Sequence, residues 1–396
     1  MSIRRRSRRW LALAATSVVS LTLCACSSAK TGSTTTTSSA ATSGVGASSG
    51  ASGTQAKEVA AAQAVLAQYA DAPTKISVTE PLPSAPPKGK TIVWLNCGLA
   101  TCTSIGKGIK DAAAAVGWNY KEINYDTANP ATLTAAFQQA LKISPKPVAV
   151  AESGNPPESG WSSIEPAYKA AGIAIIASYI GDTALDSPII ANVGGSSSFA
   201  LWGKIVGNWF IADSGAQGKA VVQRIDSYPV LKAYSDSLVA TIKAGCSQCD
   251  ISDVLSNSAA DAGANKVVPT IVSALKRDSS AKYLLPVDYE FIDGLPSAMS
   301  AASIHVKIGS EDPDLAALGY LKNGTYAMAP SHPLEQSGWM IADAAFRQAE
   351  NQPVPASDNA PLPTWILSQG KDFPTGSLTE WPTDYQAQFK ALWHVG

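Results

Sequence analysis

Histidine is scarce in this chain: three in 396 residues, His305, His332 and His394. None is bracketed by acids or cysteines at metal-ligand spacing, so the sequence carries no metal motif. The same scarcity makes a nucleophile and its base hard to assemble, and no serine lies at a strand-to-helix elbow. Charge is sparse as well. Charged residues make up 15% of the chain, the formal net charge is −1, and no basic stripe runs through it, which argues against nucleic-acid binding. Past the first 26 residues no apolar run approaches the roughly 18 residues that a membrane span needs. No cofactor is implied.

What is present begins with a delivery segment. Arg4, Arg5, Arg6, Arg8 and Arg9 precede the apolar run WLALAATSVVSLTL, the pattern of an export signal over residues 1–25. Its removal leaves a mildly acidic body of about −6, since the signal holds those five arginines and no acid. Leu23-Cys24-Ala25-Cys26 resembles a bacterial lipobox with Ala25 as the small residue; Cys24 would place Leu23 there. The resemblance implies cleavage before Cys26 and lipidation of its sulfur, with ordinary secretion as the alternative. SRRWL also resembles a twin-arginine signal, which leaves the export route open. Residues 26–55 are Ser, Thr, Gly and Ala with little to bury, a disordered tether. Residues 46–50 match G-x-S-x-G only formally, because no strand or helix flanks them. Residues 56–87 read as a short amphipathic helix and a Pro-rich arm. Gly89-Lys90-Thr91 mimics the end of a phosphate loop but lacks the upstream glycine and enters a strand.

From residue 88 the pattern alternates strand and helix. Strands are expected at 91–95, 120–123, 147–151, 173–177 and 189–193, then at 220–225, 251–255, 283–287, 306–308 and 326–329, with a last candidate at 365–367. Helical spacing fills most of the gaps, and a long helix covers 334–350. Two successive series of about 100 residues indicate an α/β fold of two doubly wound, Rossmann-like lobes. Gly117, Gly172 and Gly245 stop helices just before the next strand, as left-handed C-caps would. In an exported chain, Cys97 with Cys102 and Cys246 with Cys249 read as two local disulfides, each contributing roughly 2 kcal/mol on the chain-entropy model. A zinc site shared by both pairs is the alternative. A redox role for Cys246-Ser247-Gln248-Cys249 is disfavoured, because it follows a helix instead of starting one.

In sheets of this kind ligands sit beyond the carboxyl ends of the strands. Asn96, Glu152, Asn155, Tyr179, Asn192, Asp226, Tyr228, Asp288, Glu311 and His332 all fall there, and a small polar ligand needs such convergent groups. Of the ten tryptophans, Trp161 and Trp202 lie near strand ends and are candidates for stacking on a ligand. Gly194-Gly195-Ser196 enters a helix, as either a backbone anion site or a tight turn.

The lipobox, the tether and a GKTIVWL strand followed by two α/β series together resemble a type I periplasmic substrate-binding lipoprotein of an ABC importer, in the ribose-binding, sugar-type branch. The similarity runs over residues 88–352. The opening strand and helix, ANVGG, IGSEDPD, HPLEQSGW and the arm ending in PPKGK carry it. It implies three hinge crossings, with lobe 1 formed by 88–192 plus 332–352 and lobe 2 by 193–331 plus 353–396. It also implies closure over a small molecule, delivery to a permease, an extracytoplasmic position anchored to the membrane through Cys26, and a monomer. A ligand sensor for a signalling partner would have the same fold; an exported α/β enzyme is the third reading. The sugar-type pattern has an Asp-Arg pair where this chain has Ala177 and Ser178. It has an arginine near Tyr228-Pro229-Val230, an aspartate at Glu311 and a glutamine at His332. Loss of two arginine forks points to a less hydroxylated, aromatic or cyclic ligand.

Overall fold

The computed structural model describes residues 49–127, 129, 131–153, 157–378 and 380–396, with side chains from residue 53. The export signal, Cys26, the first part of the tether and Asn155 lie outside the described residues. The rest of the tether does not: α1 (Ser49–Leu66) starts seven residues before the expected helix. Its Ala- and Gln-rich run, AKEVAAAQAVL, has high helix propensity and propagates back into the Ser/Gly segment.

One parallel sheet is built from β1 (Thr91–Asn96), β2 (Asn119–Asn124), β3 (Ala149–Ser153), β4 (Ala174–Ser178) and β5 (Ile189–Val193), in the order β2-β1-β3-β4-β5. Between these strands run α2 (Ala100–Val116), α3 (Ala131–Ala140) and α4 (Glu165–Ala171). All six residues of β1 are buried, because helices cover both faces of an inner parallel strand. The edge strand β2, NYKEIN, buries only Ile123.

The second sheet follows α5 (Ser196–Asp213). Its chain order is β6 (Lys219–Ile225), α6 (Pro229–Gly245), β7 (Asp250–Asn257), α7 (Ala259–Gly263), α8 (Val267–Arg277), β8 (Tyr283–Leu285), α9 (Leu295–Ala301), β9 (Lys307–Ile308), α10 (Leu315–Asn323) and β10 (Met328–Ser331). The strands pair in parallel as β7-β6-β8-β9, and a Gly309–Met328 bridge brings β10 to that edge. The two sheets thus start from the same winding, with the first strand inside and the second at the edge.

The chain then returns through α11 (Leu334–Ala349) against α2, runs out again to β11 (Trp365–Ser368), antiparallel to β10, and ends in α12 (Tyr385–Leu392). To the three expected crossings the structure adds two. α1 packs on α5, in the second lobe, and the following arm lies on the first lobe, where the Leu82 N–H donates to the Leu392 carbonyl at 2.9 Å. The tail also crosses back. Its end does not stay with lobe 2: Trp393 stacks on Trp339 of α11 at 5.1 Å, so residues 385–393 belong with lobe 1. The partner of α12 is an aromatic face far away in sequence, which local patterning does not reveal.

Gly117 and Gly172 take the left-handed conformation expected, with φ 74° and 62°. Gly245 does not. It ends α6 in ordinary helical conformation, and Cys246, bonded to Cys249, makes the turn. Cys97 is likewise bonded to Cys102, so each cysteine pair closes locally.

Candidate ligand-binding site

The carboxyl ends of both sheets converge on one small, partly open cavity of about 60 Å³. Lobe 1 supplies Leu99, Thr101, Cys102, Ile105, Ser153 and Tyr179. Lobe 2 supplies Phe199, Val230, Leu231, Asp288, Glu290, Phe291 and Asp312. A larger groove of about 540 Å³, around Tyr283, Met299 and Lys307, lies at the opposite, amino end of the second sheet and holds none of the expected site residues.

The wall from lobe 1 is set by the turn after β4. Tyr179 has φ 56°, a left-handed conformation that is uncommon for a residue with a side chain and is found at functional positions. Its hydroxyl donates to Ser337 Oγ at 3.0 Å, which ties the ring to the first turn of α11. Ser153 shares a 2.8 Å contact with Cys102 Sγ, so the disulfide forms part of the lining. Asn96 has another task. Its Nδ2 donates to Glu122 at 3.0 Å and its Oδ1 accepts from the Gly98 N–H at 2.9 Å, which shapes the loop carrying the disulfide without reaching the cavity.

The wall from lobe 2 is acidic. Asp288 is buried and its Oδ1 accepts from the Glu290 N–H at 2.7 Å. Asp312 has φ 47°, the counterpart of Tyr179 across the cavity. Burial raises all of these carboxyls, and their mutual charge raises them further. Asp312 is pushed up to about 8 and Glu290 to about 7, while Asp288 and the fully buried Glu311 stand well above the carboxylate range. Both Glu311 oxygens lack a hydrogen-bond partner.

His332, at the β10-to-α11 crossing, sits behind this wall. Its ring stacks on Trp202 at 4.3 Å and 13°, with Tyr179 on another side at 5.6 Å. Its Nδ1 is 4.0 Å from Asp312 Oδ1. Burial pushes its pKa down to about 3, so the ring is neutral and does not compensate the acids. Trp202 therefore backs His332 and does not itself line the cavity. Trp161 is a core residue packed on Phe137 at 5.1 Å.

The remaining expected residues divide by location. Glu152 is fully buried with both oxygens unpartnered, and burial followed by the charge of Glu158 holds it well above its ordinary range. Tyr228 stacks on the cavity residue Phe291 at 6.2 Å. Asp226 pairs with Arg224 at 2.6 Å on the surface and takes no part. Asn192 is a crossing residue: its N–H donates to Asn359 at 2.8 Å and its Nδ2 to the Gly181 carbonyl at 3.0 Å. Gly194-Gly195 forms a tight turn there, with Gly194 at φ 71°. Glu290, Asp312, Phe199 and Phe291 were not singled out from sequence. Glu290 and Asp312 lie within two residues of chosen positions, and at Asp312 the left-handed backbone decides which residue faces inward.

The raised carboxyls set a stability profile. For Asp312 and Glu290 the folded values of about 8 and 7 exceed the unfolded value of about 4. Their contribution is then present in full below about 4 and is lost as pH rises through 7 and 8. The melting temperature should fall between pH 6 and pH 8.5, and Asp312→Asn should flatten that slope. A slope unchanged by the substitution would remove Asp312 from the account.

No protein-family model and no curated protein matches this chain. Solved structures do. An ABC sugar transporter subunit from Rhodobacter sphaeroides superposes with a TM-score of 0.60 at 16% identity, over 72% of this chain and 99% of its own. An ABC transporter solute-binding protein from Burkholderia graminis, in complex with D-arabinose, gives 0.60 at 15%, over 71% and 96%. One from Bacillus halodurans with bound myo-inositol gives 0.58 at 16%, over 71% and 95%. At these identities the likeness is one of fold: the two-lobed α/β architecture of type I periplasmic binding proteins.

Proposed function

We propose that this chain is an extracytoplasmic solute-binding protein that captures a small polar or sugar-like molecule between its lobes and delivers it to an ABC transporter permease. One observation carries the reading: a partly open cavity takes its walls from both sheets, at the carboxyl ends of their strands. The connections between the lobes gather at crossings beside it, at Asn192–Gly195 and at His332. A solute would enter when the lobes part and be enclosed when they close. The export signal and the lipobox at Cys26 support a tether to the outer face of the membrane. No catalytic step is proposed.

Tryptophan fluorescence of the purified protein, titrated with sugars, cyclitols, amino sugars and amines, tests this, because Trp202 stacks on His332 directly behind the cavity wall. Saturable quenching or enhancement by one of them, with a matching rise in melting temperature, is the expected result. No response to any member would overturn the reading.

The Cys97–Cys102 bridge holds the lip of lobe 1, and both sulfurs are buried. The double substitution Cys97→Ser and Cys102→Ser should cost about 2 kcal/mol of stability and weaken solute binding while the protein stays folded. Unchanged affinity would reduce the bridge to a purely structural role.

A further inference from the structure

The cavity has an imbalance that the function above does not require. Asp288, Glu290 and Asp312 line it, and among the described residues no lysine or arginine does. The groups facing these three from neighbouring elements are Glu311, Asp314, Tyr179, Tyr228, Tyr234 and His332. None is cationic, since His332 is a neutral ring. Two of these neighbours are polar side chains buried beyond nine-tenths with nothing to bind: Glu311, with both oxygens unpartnered, and His332, with both ring nitrogens unpartnered. Asp312 Oδ1 lies 4.0 Å from Nδ1 of that neutral His332 ring, beyond hydrogen-bond distance. Elsewhere in the chain acids find partners, as Asp236 does with Arg224 and Lys232. Buried carboxylates without a counter-charge are costly, and a cation brought in by the ligand removes that cost. The faces of Phe199, Phe291 and Tyr179 around the acids suit a cation as well.

We infer that the solute carries an ammonium group, seated among Asp288, Glu290 and Asp312 with the aromatic rings around it. This rests on the solute-binding reading and narrows its substrate class. A neutral polyol would satisfy some acid oxygens through its hydroxyls but would leave the raised carboxyls largely protonated, with no cation to draw them into the ionised form. An ammonium donates hydrogen bonds to several carboxyl oxygens at once and supplies the positive charge that favours their ionisation. Two sources share this chemistry, an amino sugar and an aliphatic polyamine.

The test uses matched probes at pH 7: D-glucosamine against D-glucose, and putrescine against 1,4-butanediol. Each is titrated by calorimetry into the wild-type protein and into Asp312→Asn. Asparagine tolerates the left-handed backbone at this position, so the variant should fold, and its melting curve checks that. The expected result is that the amine member of at least one pair binds about tenfold or more tightly than its neutral partner, and that Asp312→Asn removes most of the difference. Which pair responds separates amino sugar from polyamine. Putrescine remains charged between pH 6 and 8.5, so in that pair the affinity should rise with pH as the carboxyls ionise. If a neutral member binds as well as its amine, or if Asp312→Asn leaves the preference intact, the inference is overturned and the solute-binding function stands. If nothing in the wider panel of sugars and amines binds, the function itself falls.

Discussion

Arg347→Met should destabilise the protein by about 3–5 kcal/mol, with the loss larger at pH 8 than at pH 5. Arg347 on α11 is 4% exposed, and its Nε donates to Asp343 Oδ2 at 2.6 Å. Its NH2 donates to the Glu80 carbonyl in the N-terminal arm. Asp343 also accepts from Trp393 Nε1 at 2.6 Å, and Asp358 lies fully buried beside the pair. One guanidinium therefore joins the arm, α11 and the tail, and it is the counter-charge for a buried acidic pair. Burial raises Asp343, and Arg347 pulls it back down. Without the arginine, Asp343 has a folded pKa well above its unfolded value. Stability would be retained at low pH and lost as pH rises through that raised value. Denaturant unfolding at pH 5 and pH 8 measures the difference. Equal losses at both pH values would show that packing, and not the uncompensated charge, sets the cost. Arg347→Met combined with Asp343→Asn should recover part of the loss, since no buried charge is then stranded.

The second large effect is expected at Gly108. A Cβ there would stand 2.0 Å from the Glu335 carbonyl oxygen, and one at Gly338 would stand 2.3 Å from that of Ile105. The backbones of α2 and α11 touch through these two glycines, so no side chain can turn aside to make room. Gly108→Ala should cost about 3 kcal/mol despite its gain in helix propensity. Lobe 2 uses the same device. A Cβ at Gly203 of α5 would meet the Tyr234 carbonyl at 2.1 Å. Gly319→Ala in α10 is the control, because nothing lies within 4 Å of the added atom, and it should be neutral or stabilising by up to about 1 kcal/mol. Thermal melts of the two variants decide this; similar melting temperatures would mean that the helices separate at little cost. The crossing also matters to the cavity. Ile105 lines it, and Ser337, next to Gly338, holds the Tyr179 hydroxyl. Displacing α11 should therefore weaken solute binding too.

The strands were legible because inner parallel strands are continuous apolar runs bounded by turns, as at β1, where the expected 91–95 and the observed Thr91–Asn96 share their start. Helices α7, α9, α10 and α12 were not. They are five to nine residues long and take their stability from tertiary packing more than from periodicity. Within the site, Tyr179 and Asp288 were found because they end strands. Asp312 and Glu290 were missed because counting to a strand end does not reveal which loop residue turns inward. The left-handed backbone at Asp312 is what turns it. The acidity was visible in IGSEDPD, but the absence of any basic residue opposite it is a property of two lobes brought together.

The arm after α1 and the returning tail add two connections to the three between the lobes. Segments that bend side by side act like springs in parallel, and their stiffnesses add. A five-spring joint opens through a smaller angle for the same thermal energy than a three-spring joint. In the proposed solute-binding role, entry would then be restricted to slim solutes and departure would wait on rarer excursions. Such a receptor would trade fast turnover for long occupancy, as suits capture of a dilute solute.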